Sequence, residues 1–150
     1  MMEWYKDKKL AIYFNSQPIV KMRYPLPSMT CLEKNAILKY PFENKRKLDI
    51  KLLDFKKNKT YKFSIKENYC WDGASIPRLF WRDIGPKTDP KFLIPSLIHD
   101  VLCENHHYVD NDRHFSSCVF DALLKVSKVN KCKRYFMKNS VDIYQRFCKW

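Results

Sequence analysis

The hydrophobic period of the chain changes midway, and this limits the folds open to it. From residue 10 to about 70 the apolar residues fall in short runs, L-A-I-Y-F, A-I-L-K-Y, L-D-I-K-L-L-D-F and Y-K-F-S-I, rich in β-branched and aromatic residues and partly alternating. Within Lys59 to Ile65, the side chains of Tyr61, Phe63 and Ile65 share one face. Pro18, Pro25, Pro27 and Pro41 punctuate this half, and Glu43 to Lys47 and Lys56 to Lys59 read as turns between strands. Past Pro90 the period becomes helical, with helices expected near 91–105, 111–127 and 131–148. The fold class that follows is α+β, a small, mostly antiparallel sheet in the N-terminal half packed against about three helices in the C-terminal half. The 150 residues are 45% hydrophobic and include four Trp, nine Tyr and ten Phe, enough for one domain with a real core. Within that domain, residues 1–70 are strand-rich, 71–81 form a turn segment and 90–150 are helical.

Local signals refine the helices. Pro95 lacks an amide donor, so the first helix either begins close to Ile94 or is kinked in its first turns. Asp110 is the expected N-cap of the second, where Phe115, Val119, Ala122, Leu123 and Val126 recur at helical spacing and Asp112 points to the face of Phe115. In the third, Cys132, Phe136, Ser140, Ile143 and Phe147 form the stripe expected to close the core. Between sheet and helices, Trp71-Asp72-Gly73 reads as a turn, with Gly73 free to take positive φ and Asp72 able to accept from nearby amides. Ser75-Ile76-Pro77 then suits the N-cap and first turn of a short helix carrying Leu79, Phe80 and Trp81.

The strongest functional signal is an adjacent His99-Asp100 pair inside the apolar run L-I-H-D-V-L. An imidazole and a carboxylate cost several kcal/mol, about 2–7 for a neutral polar group, to bury without partners, so such a pair calls for chemistry or for a satisfied polar network. Asp112 is spaced so that a return helix brings it back beside His99. Together with Asp72, these residues form one expected pocket. Asp72, Gly73, Ser75 and Arg78 are read as a binding or turn network, whose structural alternative is backbone capping. A C-x2-H-x7-H-x3-C array of Cys103, His106, His114 and Cys118 has end spacings that suit zinc, but a short centre; core thiols and exposed histidines are the simpler reading. No cofactor is expected. A calcium or other divalent ion on Asp72 and Asp100 is the alternative.

Charge and cysteine usage bound the setting. Lys and Arg number 29 against 16 acidic residues, a net charge of +13, which favours polyanions: nucleic acid, an acidic membrane surface or an acidic protein. The lysines, among them Lys6, Lys8, Lys9, Lys45, Lys47, Lys56, Lys57 and Lys59 together with Arg46, are scattered along the chain, which reads as a solvated surface ahead of a dedicated nucleic-acid stripe. The N-terminus, M-M-E-W-Y-K-D-K-K, lacks a signal-peptide core, and no apolar run reaches membrane-spanning length, so the chain is expected to stay in the compartment where it is made. Six cysteines without a C-x-x-C pair read as free, mostly buried thiols. A glycine-rich nucleotide loop, a G-x-S-x-G elbow and an H-E-x-x-H helix are absent, against NTPases, serine hydrolases and common zinc proteases.

The segments W-D-G-A-S-I-P-R-L-F-W, I-G-P, L-I-H-D-V-L and D-R-H-F occur in that order. They resemble the domain of unknown function 1353 family of phages and prophages, whose pattern is T-D-G-A-S-x-P-R, then A-x-x-H-D-x-L-Y, then A-D-x-x-F before a final helix. The match covers Asp72, Gly73, Ala74, Ser75, Pro77, Arg78, His99, Asp100, Leu102, Asp112 and Phe115; Trp71 stands where threonine is usual and Cys103 where tyrosine is usual. The resemblance implies a phage setting, in the host cytoplasm or the virion, and no mechanism. Separately, the His-Asp helix is similar to that of secreted calcium-dependent phospholipases. There the histidine activates water, the next aspartate binds calcium and a later aspartate orients the histidine, a role that would fall to Asp112. The chain has only two glycines and lacks that family's calcium loop and cysteine framework. The leading expectation is a non-enzymatic phage protein, a tail or neck component or a binder of a phage or host partner, with a buried His-Asp-Asp network. The alternative is a small hydrolase, metal-dependent in the phospholipase manner, with His99 as base, Asp112 as orienter and Asp100 as partner.

Overall fold

The computed structural model describes residues 1–71, 73 and 90–148, with side chains up to residue 142. Asp72, Ser75, Arg78 and the short helix expected after Ser75 lie outside the described residues. The fold is α+β. Strands β1 (Met2–Lys6), β2 (Leu10–Phe14), β5 (Leu48–Asp54) and β6 (Lys59–Ile65) form a sheet in the order β1-β2-β5-β6; β3 (Val20–Met22), β4 (Phe42–Asn44) and β7 (Cys70–Trp71) form another in the order β3-β4-β7. Every pairing in both is antiparallel.

Alternation sets the larger sheet. In β5, Leu48, Ile50, Leu52 and Asp54 are buried and the residues between them are not; in β6 the buried set is Tyr61, Phe63 and Ile65. The register places Ile12 opposite Leu52 and Leu52 opposite Tyr61, so one apolar face runs across the strands. Helices α2 (Leu93–Glu104) and α3 (Arg113–Val126) cover it with Leu97, Ile98, Val101 and Leu102 from the first, and Phe115, Val119, Ala122 and Leu123 from the second. Phe42 and Trp71 of the smaller sheet join the same core. Beyond α3, Phe92, Phe120, Leu124, Val129, Met137 and Val141 form a second cluster under α4 (Lys131–Cys148).

Pro95 is the third residue of α2, preceded by a 3-10 turn over Pro90–Phe92. Its missing amide is one of the first-turn donors that no helical carbonyl could reach, so the helix starts without a kink penalty. Gly73 takes φ 92°, the left-handed freedom expected of it.

Four expectations need correction. The run A-I-L-K-Y forms no strand: residues Cys31–Lys39 are helix α1, started by a capping box in which Thr30 accepts from the Glu33 amide and Glu33 accepts from the Thr30 amide. That pair outweighs the β-like composition of the run. Asp110 is not the cap of α3. Asp110 and Asn111 both adopt left-handed φ after a 3-10 turn at His106–Val109, delaying the helix so that Asp112 becomes its N-cap. In the described part of the α4 stripe Met137 and Val141 are inside while Phe136 and Cys132 are exposed, and the side chains of Ile143 and Phe147 lie outside the described residues. Finally, Cys31 and Cys132 are exposed and Cys70, Cys103 and Cys118 only partly buried, while the side chain of Cys148 lies outside the described residues.

Trp71 ties the smaller sheet to α2. Its buried indole Nε1 donates to Ser96 Oγ at 2.9 Å, and Ser96 Oγ donates to the Leu93 carbonyl at 2.9 Å. Ser96→Ala leaves the indole N–H unpaired in the core and should lower stability by about 1–3 kcal/mol. In denaturant melts, the Trp71→Phe/Ser96→Ala double variant should lose less than the sum of the singles; strict additivity would mean that the bond contributes nothing.

Candidate functional site

His99 and Asp100 project from the middle of α2, both partly buried. Burial lowers the His99 pKa to about 4, so its ring is neutral at physiological pH. Cys103, one turn on, places Sγ 3.6 Å from each ring nitrogen, and the Phe120 ring of α3 packs against the imidazole at 4.9 Å. Asp100 is engaged in an interaction and is not a free carboxylate.

Asp112 caps α3 and pairs with Lys57. One carboxylate oxygen accepts from the Phe115 amide at 3.0 Å, and the other from Lys57 Nζ at 2.6 Å. Burial alone would raise its pKa; the hydrogen bonds from Lys57 and the Phe115 amide, with the Lys57 charge, outweigh that and hold it below the usual carboxylate range. Among the described residues no hydrogen bond or ion pair joins Asp112 to His99. The geometry therefore brings His99 and Asp100 together on one helix and commits Asp112 to the start of another. A second pair, Lys59 with Asp110 at 2.9 Å, reinforces the first, so the β5–β6 hairpin clamps the loop that precedes α3.

The zinc array is not assembled: Cys103 sits by His99, while His114 Nε2 and Cys118 Sγ, one turn apart on α3, lie 3.7 Å from each other. Among the described residues no three His, Cys, Asp or Glu side chains converge to hold a metal. Of the calcium candidates, Asp100 is on α2 and Asp72 lies outside the described residues.

Among the described residues, open surface is found at the end of the larger sheet. A groove of about 600 Å³ runs along the end of the larger sheet, with Leu10 and Phe115 on its apolar lining and Lys8, Lys9, Lys56 and Lys57 around it. A smaller groove of about 320 Å³ adjoins it and shares Lys8, Lys9 and Lys138. Asp112, His114 and Cys118 line the larger groove; His99 lines neither. Burial pushes the Cys118 thiol up, so it is protonated at neutral pH and a poor nucleophile. The sequence carried a signal for this groove in the parallel strings D-K-K at 7–9 and D-F-K-K at 54–57, each a hairpin turn with an acid followed by two lysines.

The two roles of Asp112 are separable. Asp112→Ala removes the cap and should cost about 0.5–2 kcal/mol, whereas Asp112→Asn keeps a good capping side chain and loses only the charge pair. Urea melts should therefore rank Asp112→Ala well below Asp112→Asn, with Lys57→Met close to the parent. Equal losses for Ala and Asn would assign the stabilisation to charge instead of to the cap.

The model of the family described as protein of unknown function (DUF1353) matches residues 50–141, which include most of β5, all of β6, α2 and α3, and the His99-Asp100 pair. Over 43 residues the chain is 44% identical to the uncharacterized protein y4jT of Sinorhizobium fredii (strain NBRC 101917 / NGR234), a match covering 29% of this chain and only 13% of that relative. No solved structure matches. The family match takes in more than half of the chain and the elements that hold every described residue of the His-Asp segments, and the chain belongs to the DUF1353 family of proteins of unknown function.

Proposed function

We propose that the protein is a non-catalytic binding protein, and that His99, Asp100 and Asp112 are parts of its framework. The observation that supports this reading is the Asp112 carboxylate, whose two oxygens are taken by the Phe115 amide and Lys57, so that it serves as the cap of α3 and the anchor of the β5–β6 hairpin instead of as the orienter that a His-Asp base would need. The phage or prophage setting rests on the resemblance of the motifs. In that setting the chain serves as a tail or neck component, or docks a phage or host partner, in the virion or the host cytoplasm. No helix among the described residues is long and apolar enough to cross a membrane.

One observation favours the hydrolase alternative: a pKa near 4 leaves His99 unprotonated at neutral pH, as a general base must be. The same value makes it a weak base, since proton abstraction is most effective when the pKa lies near the working pH.

Hydrolysis separates the two readings. With phosphatidylcholine micelles and millimolar calcium, the parent should release no more fatty acid than His99→Gln, and calcium should leave the melting temperature of both unchanged. Calcium-dependent release that disappears in His99→Gln would overturn the binding reading.

A further inference from the structure

We propose that the groove at the end of the larger sheet binds single-stranded nucleic acid, with lysines on the phosphates and Phe55 against a base. This deepens the binding reading, on which it rests.

The sheet register gathers the lysines. Leu10 is paired with Asp54, and the Phe55 amide donates to the Lys9 carbonyl at 3.0 Å, so the β1–β2 and β5–β6 turns lie side by side. Each turn holds an acid that is turned onto its own backbone: Asp7 accepts from the amides of Lys9 and Leu10, and Asp54 from those of Lys56 and Lys57. Asp7 also accepts from the Tyr5 hydroxyl at 2.6 Å. Both carboxylates are thus held by turn hydrogen bonds, and among the described residues neither forms an ion pair with the lysines that follow it.

Lys57 is paired with Asp112, but Lys8, Lys9, Lys56 and Lys138 have no ion pair among the described residues. The groove is lined by five lysines, Lys8, Lys9, Lys56, Lys57 and Lys138, against the two carboxylates of Asp54 and Asp112, a cationic excess that favours an anionic occupant. The groove is also apolar, and Phe55, 41% exposed at the tip of the β5–β6 turn, is part of its lining. Cationic groups interleaved with an exposed ring suit a flexible strand whose bases can turn inward and stack. A duplex keeps its bases paired and presents a convex phosphate cylinder, and a membrane is flat; neither enters a concavity of this kind.

Fluorescence anisotropy with a fluorescein-labelled oligothymidine of about 12 nucleotides tests the assignment. The parent should bind, with log affinity falling linearly in log salt, and each groove lysine removed should lessen that slope by about 0.7. Lys8→Ala/Lys9→Ala/Lys56→Ala should weaken binding at least about tenfold, Phe55→Ala should weaken it without changing the slope, and Lys21→Ala/Lys34→Ala/Lys39→Ala, with the same loss of charge elsewhere, should bind like the parent. Circular dichroism confirms that each variant is folded. Equal weakening by both triple variants, tighter binding of a duplex of the same length, or groove-dependent binding of polyglutamate or phosphatidylserine vesicles in place of the oligonucleotide would overturn the proposal. No binding at all would overturn it and leave the non-catalytic reading standing, while groove-dependent binding with cleavage of the strand would support the groove and overturn that reading.

Discussion

Leu52 sits at the centre of the apolar face, with Ile12 on one side and Tyr61 on the other, and the positions of His99, Asp100 and Asp112 depend on how that face is covered. Strand alternation puts Leu48, Ile50 and Leu52 on one side of β5, and burying that side requires helices with broad apolar surfaces. Helix α2 meets the requirement with Leu97, Ile98, Val101 and Leu102. His99 lies between the second and third of these, which places its ring against Phe120 and depresses its pKa by desolvation. Its electrostatic character is thus a consequence of core packing.

The same packing explains Asp112. For α3 to lie across the sheet beside α2, the chain must reverse after the 3-10 turn, which it does through left-handed Asp110 and Asn111. The helix that follows needs a cap and a fixed entry point, and Asp112 supplies the first to Phe115 while the β5–β6 lysines supply the second. Lys57 is committed to this clamp, but Lys56, beside it in the same turn, is not. That division leaves a basic groove at the sheet end nearest to α3, so the constraint that commits Asp112 to the cap also shapes the surface proposed to bind a partner.

Much of the fold was legible in the sequence because its sheet is covered on one face: the alternation of Tyr61, Phe63 and Ile65 identifies β6, and the helical spacing of Phe115, Val119 and Leu123 identifies α3. Helix α1 was missed because its only buried residue is Ile37, leaving no amphipathic period to detect, although Thr30 and Glu33 signalled its start. The described part of the α4 stripe departs from expectation at Phe136 because Met137 and Val141 cluster with Phe92 and Phe120, residues of earlier elements whose placement no local pattern gives. For the candidate site, pattern reading found His99 and Asp100 on one helix but could not fix Asp112, since its partner Lys57 is distant in sequence. The groove escaped for the same reason: Lys8 and Lys9 become neighbours of Lys56 only through the pairing of Leu10 with Asp54.

His99 is on this account a desolvated framework residue uncoupled from Asp112, and the direct measurement is the NMR titration of its ring in the parent and in Asp112→Asn. Burial predicts a midpoint near pH 4 in both proteins, with stability falling as pH drops from about 6.5 towards that value, because the unfolded ring takes up a proton that the folded ring refuses. A midpoint at or above about 6.5 in the parent that falls in Asp112→Asn would show the imidazole paired with that carboxylate and contradict the account.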